Sequence, residues 1–212
     1  MYLPKAFEET DTQVSHDLIQ AHPFATLVTS RDGELVADHL PFMLDPSRGE
    51  FGTLVAHVAR ANPVWQSLAQ SNRSLVIFQG AHAYVSPSWY PSKHVHGKAV
   101  PTWNYAVVHA HGAARAIEDA PWLHDLVSRL TNVHEAIHKV PWQVSDAPAD
   151  YIDGMLKAIV GIEIPIRQLV GKWKVSQNRP EPDKLGVVAG LSARDDELSK
   201  TMAGLVKQRA GL

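Results

Sequence analysis

A mainly β chain, closed into a small antiparallel barrel and decorated with helices, is expected from three features. Six or seven short runs of strand-forming residues lie between Phe24 and Ile166, turn signals separate them, and helix-patterned stretches are inserted late in the chain. Asp11 can cap a first helix whose apolar stripe, Val14, Leu18 and Ile19, stops before Pro23. From Phe24 the pattern becomes strand-like: FATLVTS, the turn Asp32-Gly33, ELVADHLPFML, the polar DPSRGE, then FGTLVAHV. Asn62-Pro63 ends that run and opens a short helix through Trp65 and Leu68, after which SLVIFQG and HAYVS read as two further strands. Pro87, Pro91 and Pro101 bracket SWYPSKHVHGKAVPTW, which is too long for a simple turn, and long structured loops commonly serve function.

Near Trp103 another strand begins, in which Tyr105, Val107, His109 and His111 alternate with Ala106, Val108 and Ala110. Residues 120–139 and 148–158 read as helices, the first with Leu123, Leu126, Val127 and Leu130 at helical spacing. IVGIEIPI is expected to be the last central strand. It leads into the basic and aromatic LVGKWKVSQNR, a Pro-interrupted stretch, and a terminal helix over residues 194–209. The expected organisation is one barrel domain over 1–191, with a helical insert over about 120–158, followed by a C-terminal helix in 192–212.

Composition narrows the chemistry. With 212 residues and 45% of them hydrophobic, the chain can bury a core without staples. The absence of Cys removes disulfides, thiolate zinc sites, iron–sulfur clusters and a cysteine nucleophile together. A net charge of −2 supplies no global field to attract nucleic acid. Acidic residues at Glu8, Glu9 and Asp11 precede any apolar run, and no stretch approaches the length of a membrane span. A cytoplasmic protein without signal peptide or membrane anchor is therefore expected.

Three segments mix aromatic and polar residues in a way that suits neither core nor surface: HVARANPVW, YVSPSWY and PTWNYAVVHAHG. Such mixtures suit a flat heteroaromatic ligand, which needs apolar faces for its ring and a few fixed polar groups for its edge. MYLPKAF, HPFATLVT, HLPF, LVAHVARANPVW, IFQGAHAYVSPSWY, VPTWNYAVVHAHG, LTNVHE and GKWKVSQNR then occur in an order that resembles the PaiB family, described as FMN-binding negative transcriptional regulators. The resemblance runs from Met1 to about Leu191. It implies a split β-barrel like that of pyridoxamine-phosphate-oxidase-type flavoproteins, as a homodimer with FMN at the subunit interface.

Within that expectation the residues take roles. Arg60, near the helix opening at Pro63, is the first candidate for the phosphate, with His57 as a further donor and Asn62 beside it. His39, Leu40 and Pro41 stand where such barrels line the isoalloxazine. Trp103 and Asn104 offer a stacking wall and an amide. In GKWKVSQNR, Lys172, Lys174 and Arg179 bring charge, while Trp173, Ser176 and Gln177 bring a ring and neutral polar groups.

Other chemistries remain open at this level. FMN could serve an oxidoreductase as well as a regulator, and related split barrels include haem proteins that use a His ligand, for which His94, His96, His109 and His111 are available. HEAIH places His134, Glu135 and His138 in the zinc-hydrolase string, with both imidazoles on one face if the segment is helical. No third ligand follows at a suitable spacing. DNA is a partner only by the family description, since no helix-turn-helix or zinc-finger pattern is visible and the cations of the terminal helix are offset by Asp195, Asp196 and Glu197.

Overall fold

Residues 1–68 and 73–212 are described by the structure, a computed structural model. The chain begins with β1 (Glu8–Glu9) and α1 (Thr12–Ala21), and continues into a hairpin of β2 (Phe24–Arg31) and β3 (Glu34–Pro41). Asp32 and Gly33 both take positive φ, 54° and 84°, the left-handed pair that matches a two-residue turn to the twist of its strands. The register runs from Arg31↔Glu34 to Phe24↔Pro41. Next come β4 (Met43–Asp45), β5 (Thr53–Ala59), the single turn α2 (Val64–Ser67) and β6 (Ser74–Val85). The long loop holds α3 (Pro91–His96), and then follow β7 (Thr102–Gly112), β8 (Arg115–Ile117), α4 (Ala120–Glu135), α5 (Ala149–Lys157), β9 (Ile159–Lys174), α6 (Glu181–Ser192) and α7 (Glu197–Ala210). The main sheet path is β3-β2-β6-β7-β9-β5-β4, and β3 with β2, β2 with β6, β9 with β5 and β5 with β4 pair antiparallel. Both β1 and β8 also pair with β9.

Four expectations change. SLVIFQG and HAYVS form one twelve-residue strand, β6, because Gly80 does not turn: a Cβ there would lie 3.0 Å from Leu18 Cδ1, so the glycine admits α1 against the strand. IVGIEIPI continues through GKWK as the sixteen-residue β9. Pro165 ends no strand because β5 pairing stops there, at Thr53↔Pro165. The helix expected over 120–139 ends at Glu135. The Pro-interrupted stretch is itself α6, with Pro182 in the first turn, where its missing N–H costs nothing, and the terminal helix is α7, capped by Asp196 accepting from Ser199 N at 2.8 Å.

Contacts divide the chain into two compact units. One comprises Met1–Ala21, Gln79–Val108 and Val170–Leu212; the other comprises His22–Phe78 and His109–Leu169. In the first, α6 packs on α7 and meets Trp89 so closely that a Cβ on Gly186 would overlap the Trp89 carbonyl oxygen. In the second, Leu126 and Leu130 of α4 join Val55 of β5 in the core, flanked by Met43 and Trp122. There Glu163 on β9, only 1% exposed, accepts from Arg48 Nη2 at 2.7 Å and from Arg115 Nε at 2.9 Å.

Burial alone would raise the Glu163 carboxyl, but the hydrogen bonds and charges of Arg48 and Arg115 outweigh it and hold the group below the usual glutamate range. A folded value below the unfolded one stabilises the protein at neutral pH, and the contribution is lost as pH falls from the ordinary glutamate range through the lowered folded value. Glu163→Gln is expected to cost about 2 kcal/mol at pH 7, the scale of a charge-assisted hydrogen bond, and to flatten the acid limb of the pH–stability curve measured by urea unfolding. Gly186→Ala is expected to lower stability by about 2 kcal/mol, the scale of a forced overpacking, read as a fall in the urea midpoint.

Candidate functional site

Period-two geometry sets Lys172 and Lys174 two residues apart near the end of β9, and the turn that follows carries the strain of the region. Ser176 adopts φ +65°, a left-handed conformation that costs a non-glycine residue about 1–2 kcal/mol. Three contacts hold it. Val175 N donates to Gln177 Oε1 at 2.7 Å, Gln177 Nε2 donates to the Trp173 carbonyl, and Arg179 N donates to Ser176 O at 2.9 Å. Asn104 on β7, 1% exposed, donates from Nδ2 to Ser176 Oγ at 2.9 Å.

Asn104 and Ser176, with Phe7, Thr102, Lys174, Asn178 and Arg179, line a cavity of about 60 Å³, and among the described residues no carboxylate lines it. Its volume is about twice the ~30 Å³ share of one liquid water, enough for a compact anionic group and too little for a tricyclic ring. Lys174 Nζ donates to Thr102 Oγ1 at 2.5 Å and to Trp103 O at 2.6 Å, which leaves one of its three N–H groups. Burial first, and then the charges of Lys172 and Arg179, push its ammonium below the ordinary lysine range. Lys172 donates to Tyr2 O at 2.9 Å and lies between the Tyr2 and Tyr105 rings, 5.7 and 5.3 Å from their centroids. The Arg179 guanidinium sits 4.7 Å from the Tyr90 ring centroid. Among the described residues, none of these three cations forms an ion pair.

The candidates named from the sequence fall into separate groups. Asn104, Ser176, Gln177 and Lys172 gather around this turn. Trp173 belongs to the same segment but is buried, with Arg209 over its ring at 5.6 Å, so its face is spent inside the protein and is not offered to a ligand. Trp103 is 49% exposed and stacks on His82 at 5.9 Å with Tyr84 edge-on. Strand alternation directs it to the face opposite Asn104, so the two side chains do not wall one pocket.

His39, Leu40, Pro41, His57, Arg60 and Asn62 lie in the other unit. His39 is exposed beside Phe24, with ring centroids 6.3 Å apart, while Leu40 is buried and Pro41 half-buried. Asn62 bridges its own helix start to β3, donating to Asp38 Oδ1 at 2.7 Å and accepting from Val64 N at 2.9 Å. His57 is half-buried, its Nδ1 has no partner, and burial lowers its pKa, which favours the neutral ring over the cation a phosphate would prefer. Arg60 donates from Nε to Lys157 O at 2.8 Å and from Nη2 to Ile159 O at 3.2 Å, and pairs through Nη1 with Glu118 at 2.5 Å. Its fork closes the α5–β9 connection.

His134 and His138 are both exposed, and because the helix stops at Glu135 they do not share a helical face. Glu135 instead accepts from Trp142 N at 3.0 Å. Among the described residues no three His, Cys, Asp or Glu side chains converge as metal ligands. Lys174 and Arg179 were visible in the sequence as a basic run; Thr102 and Phe7 carried no local signal, since only pairing in the fold brings them there.

A mainly antiparallel β-sheet with helical additions defines a class by its fold: split β-barrels of the pyridoxamine-phosphate-oxidase type. A family model described as "Putative FMN-binding domain" matches residues 1–168. The "Protease synthase and sporulation protein PAI 2" of Bacillus subtilis (strain 168) is 32% identical over 209 residues, covering 99% of this chain and 98% of its own, and an uncharacterized protein of Emericella nidulans is 33% identical over 244 residues, covering 99% and 97%. The chain belongs to this FMN-binding-domain family and, within it, to the PaiB proteins. The fold is shared with the FAD and haem binding protein from Mycobacterium smegmatis, at a TM-score of 0.59 and 18% identity over 79% of this chain and 73% of that one. It is also shared with a flavocytochrome from Azotobacter vinelandii, at 0.56 and 13% over 79% and 69%. Among the described residues no helix is long and apolar enough to cross a membrane.

Ser176→Ala would leave the buried Asn104 amide without its acceptor. The expected result is a loss of about 1–2 kcal/mol, the cost of an unsatisfied buried group, seen as a lower urea midpoint with an unchanged m-value.

Proposed function

We propose that this protein binds FMN and that Lys174 and Arg179, supported by Asn104, Ser176 and Thr102, receive its phosphate. The observation that carries the reading is the carboxylate-free cavity in which two cations and neutral donors converge. The donor set fits a phosphate. An ammonium with one N–H to spare and a guanidinium without an acid partner are suited to a dianion, and hydroxyl and amide groups suit its remaining oxygens. Lys172, pinned between two tyrosine rings, adds positive potential without touching the cavity lining.

The Gln177 bracket keeps Ser176 in its strained form, so these groups are held in place before a ligand arrives. Bound FMN would supply one- and two-electron redox chemistry at its ring. Arg60 belongs in this reading to the framework, and His39 with Phe24 forms an exposed surface on which a flat ring could stack. The homodimer implied by the PaiB resemblance is part of the same proposal.

The regulatory role carried by the PaiB name is assigned here to a flavin-dependent response and not to direct reading of DNA. The cations of α7 and its approach are partly committed, Arg194 to Asp196 and Lys200 to Glu197. That leaves little of the concentrated positive stripe that a phosphate backbone needs.

FMN binding is tested by quenching of flavin fluorescence. Lys174→Met and Arg179→Met are each expected to weaken it about ten- to a hundredfold, matching roughly 1.5–3 kcal/mol for a hydrogen bond to a charged group. Unchanged affinity in both variants removes the cavity from the site. The absorption spectrum of the purified protein separates a flavin from haem, and sedimentation equilibrium measures the dimer.

A further inference from the structure

A second basic cleft lies in the unit that contains Glu163, and none of the residues named above for the flavin phosphate lines it. Arg73, Ser74, His111, Gly112, Arg167 and Gln168 line about 560 Å³ of space, a volume within the range of small-molecule pockets. We propose that this cleft binds a small organic anion, with Arg167 as its principal anchor and a carboxylate or phosphate group as the part recognised.

The lining contains two guanidiniums and an imidazole but no carboxylate. Elsewhere in the same unit Arg48 and Arg115 hold Glu163, Arg60 holds Glu118 and Arg129 holds Asp125. Arg167 is exposed and, among the described residues, has no ion pair or hydrogen bond through its side chain. A planar fork left open in a concave site is the arrangement that grips an oxyanion through paired hydrogen bonds.

The backbone explains why both polar side chains of β9 reach the cleft. Along this strand Pro165 is exposed and Ile166 buried, but Arg167 and Gln168 are both exposed, so the two-residue alternation fails at this point. Ile166 N donates to Gly52 O at 3.0 Å, a last tie to the neighbouring loop before the break. The opposite wall is rigid. Ser74 Oγ donates to Gly112 O at 2.9 Å, and a Cβ on Gly112 would meet Ile164 and the Pro165 carbonyl, so β7 and β9 approach as closely there as glycine permits. His111 stands half-buried at the edge, its ring 6.2 Å from that of His109. Ligand specificity then comes from the remaining polar groups: Gln168 offers both a donor and an acceptor, and the imidazole can stack on or bond to an organic body.

The test uses the full-length, flavin-loaded protein and isothermal titration with two probes at fixed ionic strength, inorganic pyrophosphate and citrate, which represent the phosphate and carboxylate sources. Saturable binding of at least one probe is expected, weakened tenfold or more by Arg167→Ala and to a smaller degree by Arg167→Lys, which keeps the charge and loses the fork. Flavin absorbance should be unchanged in both variants, so failure of the flavin site and failure of this cleft read out separately. Absence of saturable binding for both probes, or binding indifferent to Arg167→Ala, overturns the proposal.

Discussion

Like charges held together without an opposite charge are the constraint on which the rest of this structure turns. Strand β9 carries both solutions to the problem of placing charge in a folded interior. Toward its start, Glu163 is buried and satisfied by two arginines. Toward its end, Lys172 and Lys174 stand two residues apart, with Arg179 just beyond, and no carboxylate answers them among the described residues. Carbonyl oxygens, a hydroxyl and tyrosine faces take the place of a counter-ion. Such partners soften the repulsion without neutralising it.

Preorganisation follows from the same turn. A serine in the left-handed region would ordinarily relax, yet the Gln177 side chain ties back to Val175 N and the Trp173 carbonyl, and Asn104 reaches across from β7 to the Ser176 hydroxyl. The strain is thus maintained by contacts that also position the donors. Arg60 illustrates the opposite outcome. Its sequence setting is that of a ligand-binding arginine, but a guanidinium that satisfies two backbone carbonyls and a glutamate has become a structural clasp.

Alternation along the strands sorts aromatic residues by face and thereby by availability. Trp103 is displayed outward with His82 and Tyr84, whereas Asn104, its immediate neighbour, is sealed inside. Trp173, between Lys172 and Lys174 in the chain, is buried under Arg209. Adjacent letters in a motif therefore perform unrelated tasks, and only the period of two separates them.

Much of the fold was legible because it is written in local terms. Asp32-Gly33 can adopt the left-handed turn that few other pairs tolerate, the outward series Tyr105, Val107, His109 and His111 marks a strand, and the Asp119 and Asp196 caps mark helix starts. The resemblance to PaiB proteins likewise rests on residue order alone. What required the tertiary structure was every property that depends on a distant partner. Gly80 reads as a break until Leu18 is seen beside it, the run IVGIEIPI reads as complete until it is seen to continue through Lys174, and the cavity exists only because residues 102–104 meet residues 174–179. Local conformational preference acts over a few residues and is encoded where it acts; burial and counter-charge are set by side chains far away in the chain, so they are decided when the strands pair.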